Sequence, residues 1–381
     1  VSGFDLALPG RVMFGPGRAG ELAGLLPAMG SRLLLCTGRD PSRHRDLLGG
    51  LEPVAVVTAA GEPTVDDLRS ATERARAAGA DLVVAIGGGS VLDLGKAVAV
   101  LLGNGTDPLD HLEIVGRGVP VERPAAPFVA VPTTAGTGAE ATANAVFRVP
   151  DRGLKVSIRS RHMLPAVALV DPLLTLTCPP PVTASSGLDA LTQCLEPYVS
   201  PKATPATDAV AAEGLRRGAA ALRRAYEHGD DHAAREDMAL CSLFGGIALA
   251  NAKLGAVHGL AGVIGGMVDA PHGMVCAALL APVVEANVQA LRERDPASPA
   301  LARYAHVARL LTGSPDATVA DAVDWLRGTV AALRVRPLSA AGLRPELFAE
   351  VAAKAAGSSS MQGNPVPLSE PELTAVLRAA H

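Results

Sequence analysis

The N-terminal part of the chain alternates short, wholly apolar runs with longer amphipathic ones. RLLLCTG (32–38), PVAVVTA (53–59), DLVVAIGGGS (81–90) and PFVAVPTTAGTG (127–138) are apolar runs that close on glycine or other small residues. A strand buried on both faces of a parallel sheet reads this way, without the polar alternation of a half-solvated strand. VDDLRSATERARAAGA (65–80) carries acids early, arginines later and Gly79 near its end, and VLDLGKAVAVLL follows the third run. That order of charges complements the helix dipole and predicts helices. Strand and helix alternating at this spacing predict a Rossmann-like parallel sheet covered by helices.

Past residue 180 the strand signal fades. Residues 205–229 and 232–252 place Ala, Leu and Arg at helical spacing, and 296–335 and 345–381 read as further helices. The expected organisation is an α/β domain over 1–180 and an all-helical domain over 181–381, joined near the proline-rich CPPPV (178–182). The very apolar stretch 254–287 is interrupted by His258, Asp269, Pro271, His272 and Pro282. It leaves no clean run of about 20 apolar residues, so it predicts core helices rather than a membrane span.

Composition narrows the function classes. Hydrophobic residues are 49% and charged residues 19%, enough for a large core and against extended disorder. A net charge of −4, no basic run and 3% aromatics argue against a nucleic-acid partner. Cys36, Cys178, Cys194, Cys241 and Cys276 are widely spaced and form no CxxC, which argues against a disulfide framework or zinc knuckle and suits a reducing cytoplasm. The opening VSGFDLALPGR lacks the features of a signal peptide, so the expected location is cytoplasmic.

Two turns invite a phosphate. AIGGGSVLDLGKA sets three glycines where a strand gives way to a helix N-terminus, exposing backbone N–H groups and the positive end of the dipole. It is neither G-x-G-x-x-G, since Val91 and Leu92 follow Ser90, nor a Walker loop, since five residues separate Gly89 from Gly95 and Ala97 replaces the hydroxyl residue. PTTAGTGAE (132–140) is a second small-residue turn after a strand. Strand carboxyl ends of a parallel sheet share one edge, so two such turns there predict a dinucleotide. Further on, in ASSGLDALTQCLEPY (184–198), Asp189 and Gln193 lie four apart and share a helix face.

The ordered set GGGSVLDLGK, PTTAGTGAE, GLDAL and VHGLAGVIGGMVDAPHG, running from GRVMFGPG to the closing SSSMQGNPVPLSEPEL, closely resembles the iron-containing (group III) alcohol dehydrogenase family. Its superfamily includes glycerol dehydrogenases and maleylacetate reductases, with dehydroquinate synthase a distant relative, and the resemblance implies that fold. It also implies a nicotinamide dinucleotide held by Gly87, Gly88, Gly89 and Ser90, with Asp93 and Lys96 beginning the next helix, and lined by Thr133, Thr134, Thr137, Thr142 and Lys155. For Asp93 a plain helix-start acid, and for Lys96 a solvated side chain, are the alternatives. Family members preferring NAD often carry an acid after the second strand. Here Gly38 stands at that point, with Arg39, Ser42 and Arg43 following, which favours NADP, although the nearby Asp40 offers an NAD contact.

The family's metal positions correspond to Asp189, Gln193, His258 and His272, and a further family histidine is Gly262 here. Three arrangements are open. Asp189, His258 and His272 suffice for a divalent zinc or iron; or Gln193 adds a weak oxygen ligand; or no metal binds and the polar groups position substrate. The implied activity is an NAD(P)-dependent alcohol dehydrogenase or aldehyde reductase on a small substrate, with Asp189, His258 and His272 catalytic. The alternatives are a metal-independent, maleylacetate-reductase-like enzyme and, from another class, a catalytically silent dinucleotide-binding protein. A homodimer is the expectation by family analogy.

Overall fold

The computed structural model describes residues 3–381 and clusters into two compact units, one mainly Ala7–Thr134 with Gly138–Leu176, the other mainly Thr177–His381 with Ala135–Thr137. The first unit runs β1 (Arg11–Phe14), a short helix α1 (Leu22–Leu25), β2 (Leu33–Thr37), β3 (Ala55–Thr58), α2 (Val65–Ala77), β4 (Leu82–Gly87), α3 (Gly89–Asn104), the single turn α4 (Pro108–His111), β5 (Phe128–Pro132), β6 (Asn144–Val149), β7 (Leu154–Arg159) and β8 (Val167–Val170). Six of the strands form one parallel sheet in the order β1-β8-β5-β4-β2-β3.

The apolar runs are buried on both faces. Leu33, Leu35, Leu82, Val84, Ile86, Val129 and Val131 enter one core, with Leu22, Leu26 and Leu48 packed over them. Their neighbours Leu34, Cys36, Val83, Ala85, Phe128 and Ala130 enter another, under α2 and α3. A two-residue period places alternate side chains in opposite cores, so neither face tolerates polar residues.

The chain order reverses at β2 and β4. From β2 it steps outward to β3, then returns to the other side of β2 and continues through β4 to β5. Because β2, β4 and β5 are adjacent and parallel, the turns after them share one edge at the switch point, where open α/β sheets bind ligands. The antiparallel hairpin β6–β7 stands apart from this sheet and has no counterpart in the alternation read from sequence.

The second unit is helical: α5 (Pro180–Val199), α6 (Pro205–Glu227), α7 (His232–Ala252), α8 (Ala256–Met267), α9 (His272–Arg294), α10 (Pro299–Thr312), α11 (Val319–Ala332), α12 (Phe348–Ala356) and α13 (Glu370–Ala380). The expected join at 180/181 falls where α5 begins, with Pro180 and Pro181 in its first turn, where a missing N–H is harmless. α5 is buried along nearly its whole length against α6, α7 and α9. Among the described residues α9 is long and apolar enough to cross a membrane, but 78% of its most apolar window is buried inside the unit, as a core helix would be.

Candidate active site

In the α/β unit, the glycine turn delivers its chain to α3 with Gly88 at the N-cap and no side chain capping the helix. The backbone donors of the first turn are therefore left for a ligand or water. The second turn is tied to the first: the Thr133 N–H donates to the Gly87 carbonyl at 2.9 Å, and a Cβ on Gly88 would sit 3.3 Å from Thr134 Oγ1. Gly88, Gly89, Ser90, Thr133 and Thr134 are half-buried on this edge. Gly38 and Arg39 follow β2 beside them, Arg39 exposed. Asp40 is engaged in its own turn, accepting from the Ser42 N–H at 3.0 Å and the Ser42 hydroxyl at 2.5 Å. Those bonds from Ser42 hold its carboxyl below the usual range.

The remaining residues expected near the coenzyme are held by protein. Lys96 is not solvated. Its ammonium is fully buried and donates to Thr142 Oγ1 at 2.8 Å and the Asn144 carbonyl at 2.7 Å, with Asp93 Oδ1 at 3.4 Å. Asp93 Oδ2 accepts from the Val146 N–H at 3.0 Å. Asp93, Lys96 and Thr142 thus fasten β6 to α3. Burial pushes the Asp93 carboxyl up and the Lys96 ammonium down, each against its partner's opposing charge. Lys155 pairs with Glu62 at 2.6 Å. Thr137 belongs to the helical unit, where the neighbouring Gly136 N–H donates to Ser242 Oγ at 2.8 Å.

The helical unit brings together three groups distant in sequence. α5 supplies Asp189, α8 His258 and α9 His272. His258 Nε2 lies 3.2 Å and His272 Nε2 4.0 Å from Asp189 Oδ1, and the imidazole centroids are 5.4 Å apart. Asp189 and His258 are buried, 2% and 7% exposed, while His272 is 31% exposed, so the cluster reaches solvent at His272. The approach of α9 depends on Gly273, whose Cβ would sit 2.3 Å from the Ser185 carbonyl oxygen on α5.

Two members went unread in the sequence. Glu196, two turns after Asp189 on α5, accepts from His258 Nδ1 at 2.6 Å and from the Val257 N–H at 2.7 Å. With Nδ1 committed to Glu196, His258 turns Nε2 to the centre, where the neutral ring would offer its lone pair to a cation, as in carboxylate–histidine–metal triads. Cys276, one turn after His272 on α9, completes a set in which one donor atom from each of Asp189, His258, His272 and Cys276 lies within 4.8 Å of every other. Spacings of seven from Asp189 and four from His272 were the only signals, and both suit core positions equally well.

Among the described residues three buried side-chain polar atoms are left without a hydrogen bond: Asp189 Oδ1, His258 Nε2 and Gln193 Oε1. The first two are close enough for an ion pair but lack hydrogen-bond alignment. Gln193 turns its amide nitrogen to Asp189, donating to Oδ2 at 2.9 Å. Burial opposes charge on Asp189, but His258 and His272 outweigh it and hold the carboxyl below its ordinary value. Burial likewise opposes the His258 cation, and Cys276, Glu196 and Asp189 outweigh it, raising that imidazole well above its ordinary value. Burial pushes the Cys276 thiol up to about 12. A buried carboxylate and two imidazoles converging with unsatisfied atoms are a fitting donor set for a divalent zinc or iron ion. Gly262, one turn after His258, has no atom within 4 Å of where its Cβ would be.

Residues 9–172 match the family model described as iron-containing alcohol dehydrogenase, and residues 183–381 match the C-terminal model of the Fe-containing alcohol dehydrogenase family. A 1,3-propanediol dehydrogenase of Citrobacter freundii is 32% identical, with 99% of this chain and 98% of that protein covered. Alcohol dehydrogenase 4 of Schizosaccharomyces pombe is 35% identical over 84% of this chain and 73% of its own length. A crystal structure of a 1,3-propanediol oxidoreductase superposes with a TM-score of 0.90 at 30% identity, covering all of both chains. That of a sulfoacetaldehyde reductase from Bifidobacterium kashiwanohense in complex with NAD+ does so with a TM-score of 0.87 at 28% identity, covering 100% of this chain and 99% of that one.

Proposed function

The chain belongs to the iron-containing alcohol dehydrogenase family and is an oxidoreductase acting on CH–OH groups; from that premise we propose a metal-assisted dehydrogenase of small alcohols, working in reverse as an aldehyde reductase, with Asp189, His258 and His272 as protein ligands. The observation that carries the reading is the pair of buried, unsatisfied atoms Asp189 Oδ1 and His258 Nε2, 3.2 Å apart beside a partly exposed His272. A divalent cation bound there supplies Lewis acidity toward an alcohol or carbonyl oxygen, and the nicotinamide supplies or accepts hydride.

The chain's own residues do the rest. Asp189 provides the charge that balances a cation, and Glu196 fixes the ring and tautomer of His258 so that Nε2 is the donor. Gln193 is a positioning residue, orienting Asp189 through its amide N–H. The exposed side of His272 admits the substrate. With glycine at 262 and open space beside it, proton exchange would run through water or a coenzyme ribose hydroxyl rather than a side chain at that position. On the sheet edge, Gly87, Gly88, Gly89 and Ser90 at the uncapped start of α3 would hold the pyrophosphate, with Thr133 and Thr134 lining the coenzyme. Asp93, Thr142 and Lys155 support that edge through the contacts described.

NADP(H) is the favoured coenzyme. Asp40 keeps its charge but has Oδ1 engaged by Ser42, and the exposed Arg39 next to the β2 turn offers a guanidinium suited to a 2′-phosphate. The 1,3-propanediol and alcohol dehydrogenase relatives put small alcohols and aldehydes first on the substrate panel. The test is elemental analysis of the purified protein with NADPH and NADH oxidation on aldehydes of increasing length. Bound metal with aldehyde-dependent turnover is the expected result. Turnover unchanged by metal removal would replace this reading with the metal-independent one, and no turnover on any member of the panel would favour the silent binding protein.

A further inference from the structure

We propose that the thiolate of Cys276 is a fourth protein donor to the cation held by Asp189, His258 and His272, and that it biases the site toward zinc over iron. The inference rests on the metal-binding reading above and deepens it.

The argument is geometric. Bonds of about 2.0–2.3 Å arranged tetrahedrally separate neighbouring donors by roughly 3.3–3.7 Å. Cys276 Sγ lies 3.6 Å from His272 Nε2, and His258 Nε2 lies 3.2 Å from Asp189 Oδ1, so these two edges already have about the length that a tetrahedron requires. His272 Nε2 lies 4.0 Å from Asp189 Oδ1, and one donor atom from each of the four residues lies within 4.8 Å of every other, a spread that a shared ion would draw in. A cysteine that merely fills a core faces apolar groups. This one is buried among three ligand-type side chains, two of which aim unsatisfied atoms at the same centre. Gln193 turns its amide nitrogen to Asp189, and its unsatisfied Oε1 is a neutral amide oxygen, a weaker zinc donor than thiolate.

On binding a divalent ion, the thiol releases its proton to solvent as the sulfur–metal bond forms, with no change of oxidation state. Thiolate is the softest donor in the set and selects zinc over the harder iron(II). Asp189, His258, His272 and Cys276 would together hold the ion, and zinc's tolerance of a further donor would leave it able to polarise a substrate oxygen.

The experiment is to strip metal from the full-length protein and titrate cobalt(II) into wild type, Cys276→Ala, Cys276→Ser and Asp189→Asn, following electronic absorption. Wild type is expected to develop tetrahedral d–d bands and an intense near-ultraviolet sulfur-to-cobalt charge-transfer band, saturating together at one equivalent. Both cysteine variants should keep the d–d bands and lose the charge-transfer band. Their zinc affinity, by competition with a chromophoric chelator, should fall by at least the roughly 10- to 100-fold that loss of an outer-shell partner costs, and their iron(II) affinity by less. Cobalt bound by wild type without the sulfur band, or a band that survives in both cysteine variants, overturns the thiolate proposal and leaves the three-donor site standing. No cobalt binding, or spectra unchanged in Asp189→Asn, overturns the metal site itself and the thiolate with it.

Discussion

The cluster is decided by which atoms are left over. Glu196 takes one nitrogen of His258, and Gln193 takes one oxygen of Asp189. What remains is Asp189 Oδ1 and His258 Nε2, both buried and 3.2 Å apart. Two predictions belong to this scale. Glu196→Gln keeps the ring in place but removes the negative partner, so metal affinity should fall about 10- to 100-fold, read by chelator competition, with secondary structure unchanged. Gly262→His enters open space on the face of α8 that carries His258. If proton exchange otherwise uses water, this variant should acquire an inflection near pH ~6.5 in its pH–kcat profile, which wild type lacks.

Elements bring these residues together through close approaches that only particular residues allow. Gly273 lets α9 touch the backbone of α5 beside His272. A methyl there must displace the Ser185 carbonyl, so Gly273→Ala should cost about 1–3 kcal/mol in denaturant unfolding and weaken metal binding together. In the α/β unit the fastening of β6 to α3 is ionic. Lys96→Ala leaves the half-buried Asp93 without its counter-charge and should destabilise by up to about 3 kcal/mol, visible as a lower urea midpoint. Neither approach is written in the hydrophobic pattern. That pattern reports which face of an element is buried, not what lies against it, so α2, α3, α6 and α7 were legible while the β6–β7 hairpin and the Lys96 clamp were not.

For the whole molecule, the buried acids set how stability responds to pH. Glu140 sits fully buried near Lys96, and burial pushes its carboxyl from 4.5 up to about 7. Its folded form therefore holds a proton that the unfolded chain has released. Below 4.5 both states are protonated and the folded state carries no penalty. Between 4.5 and about 7 stability falls as pH rises, and above that the contribution is constant. Glu140→Gln should flatten this decline when unfolding free energies are compared across the window. The amino-acid sequence by itself determined the layers: apolar runs that must be covered on both faces, glycine turns at strand ends and an all-helical second half, while Asp189, His258 and His272 were singled out only by the family resemblance. Only the tertiary structure decided that Glu196 orients His258, that Cys276 joins the cluster, and that Lys96 is buried. Periodicity is a property of one element at a time, whereas ligand geometry and charge pairing arise where separate elements meet.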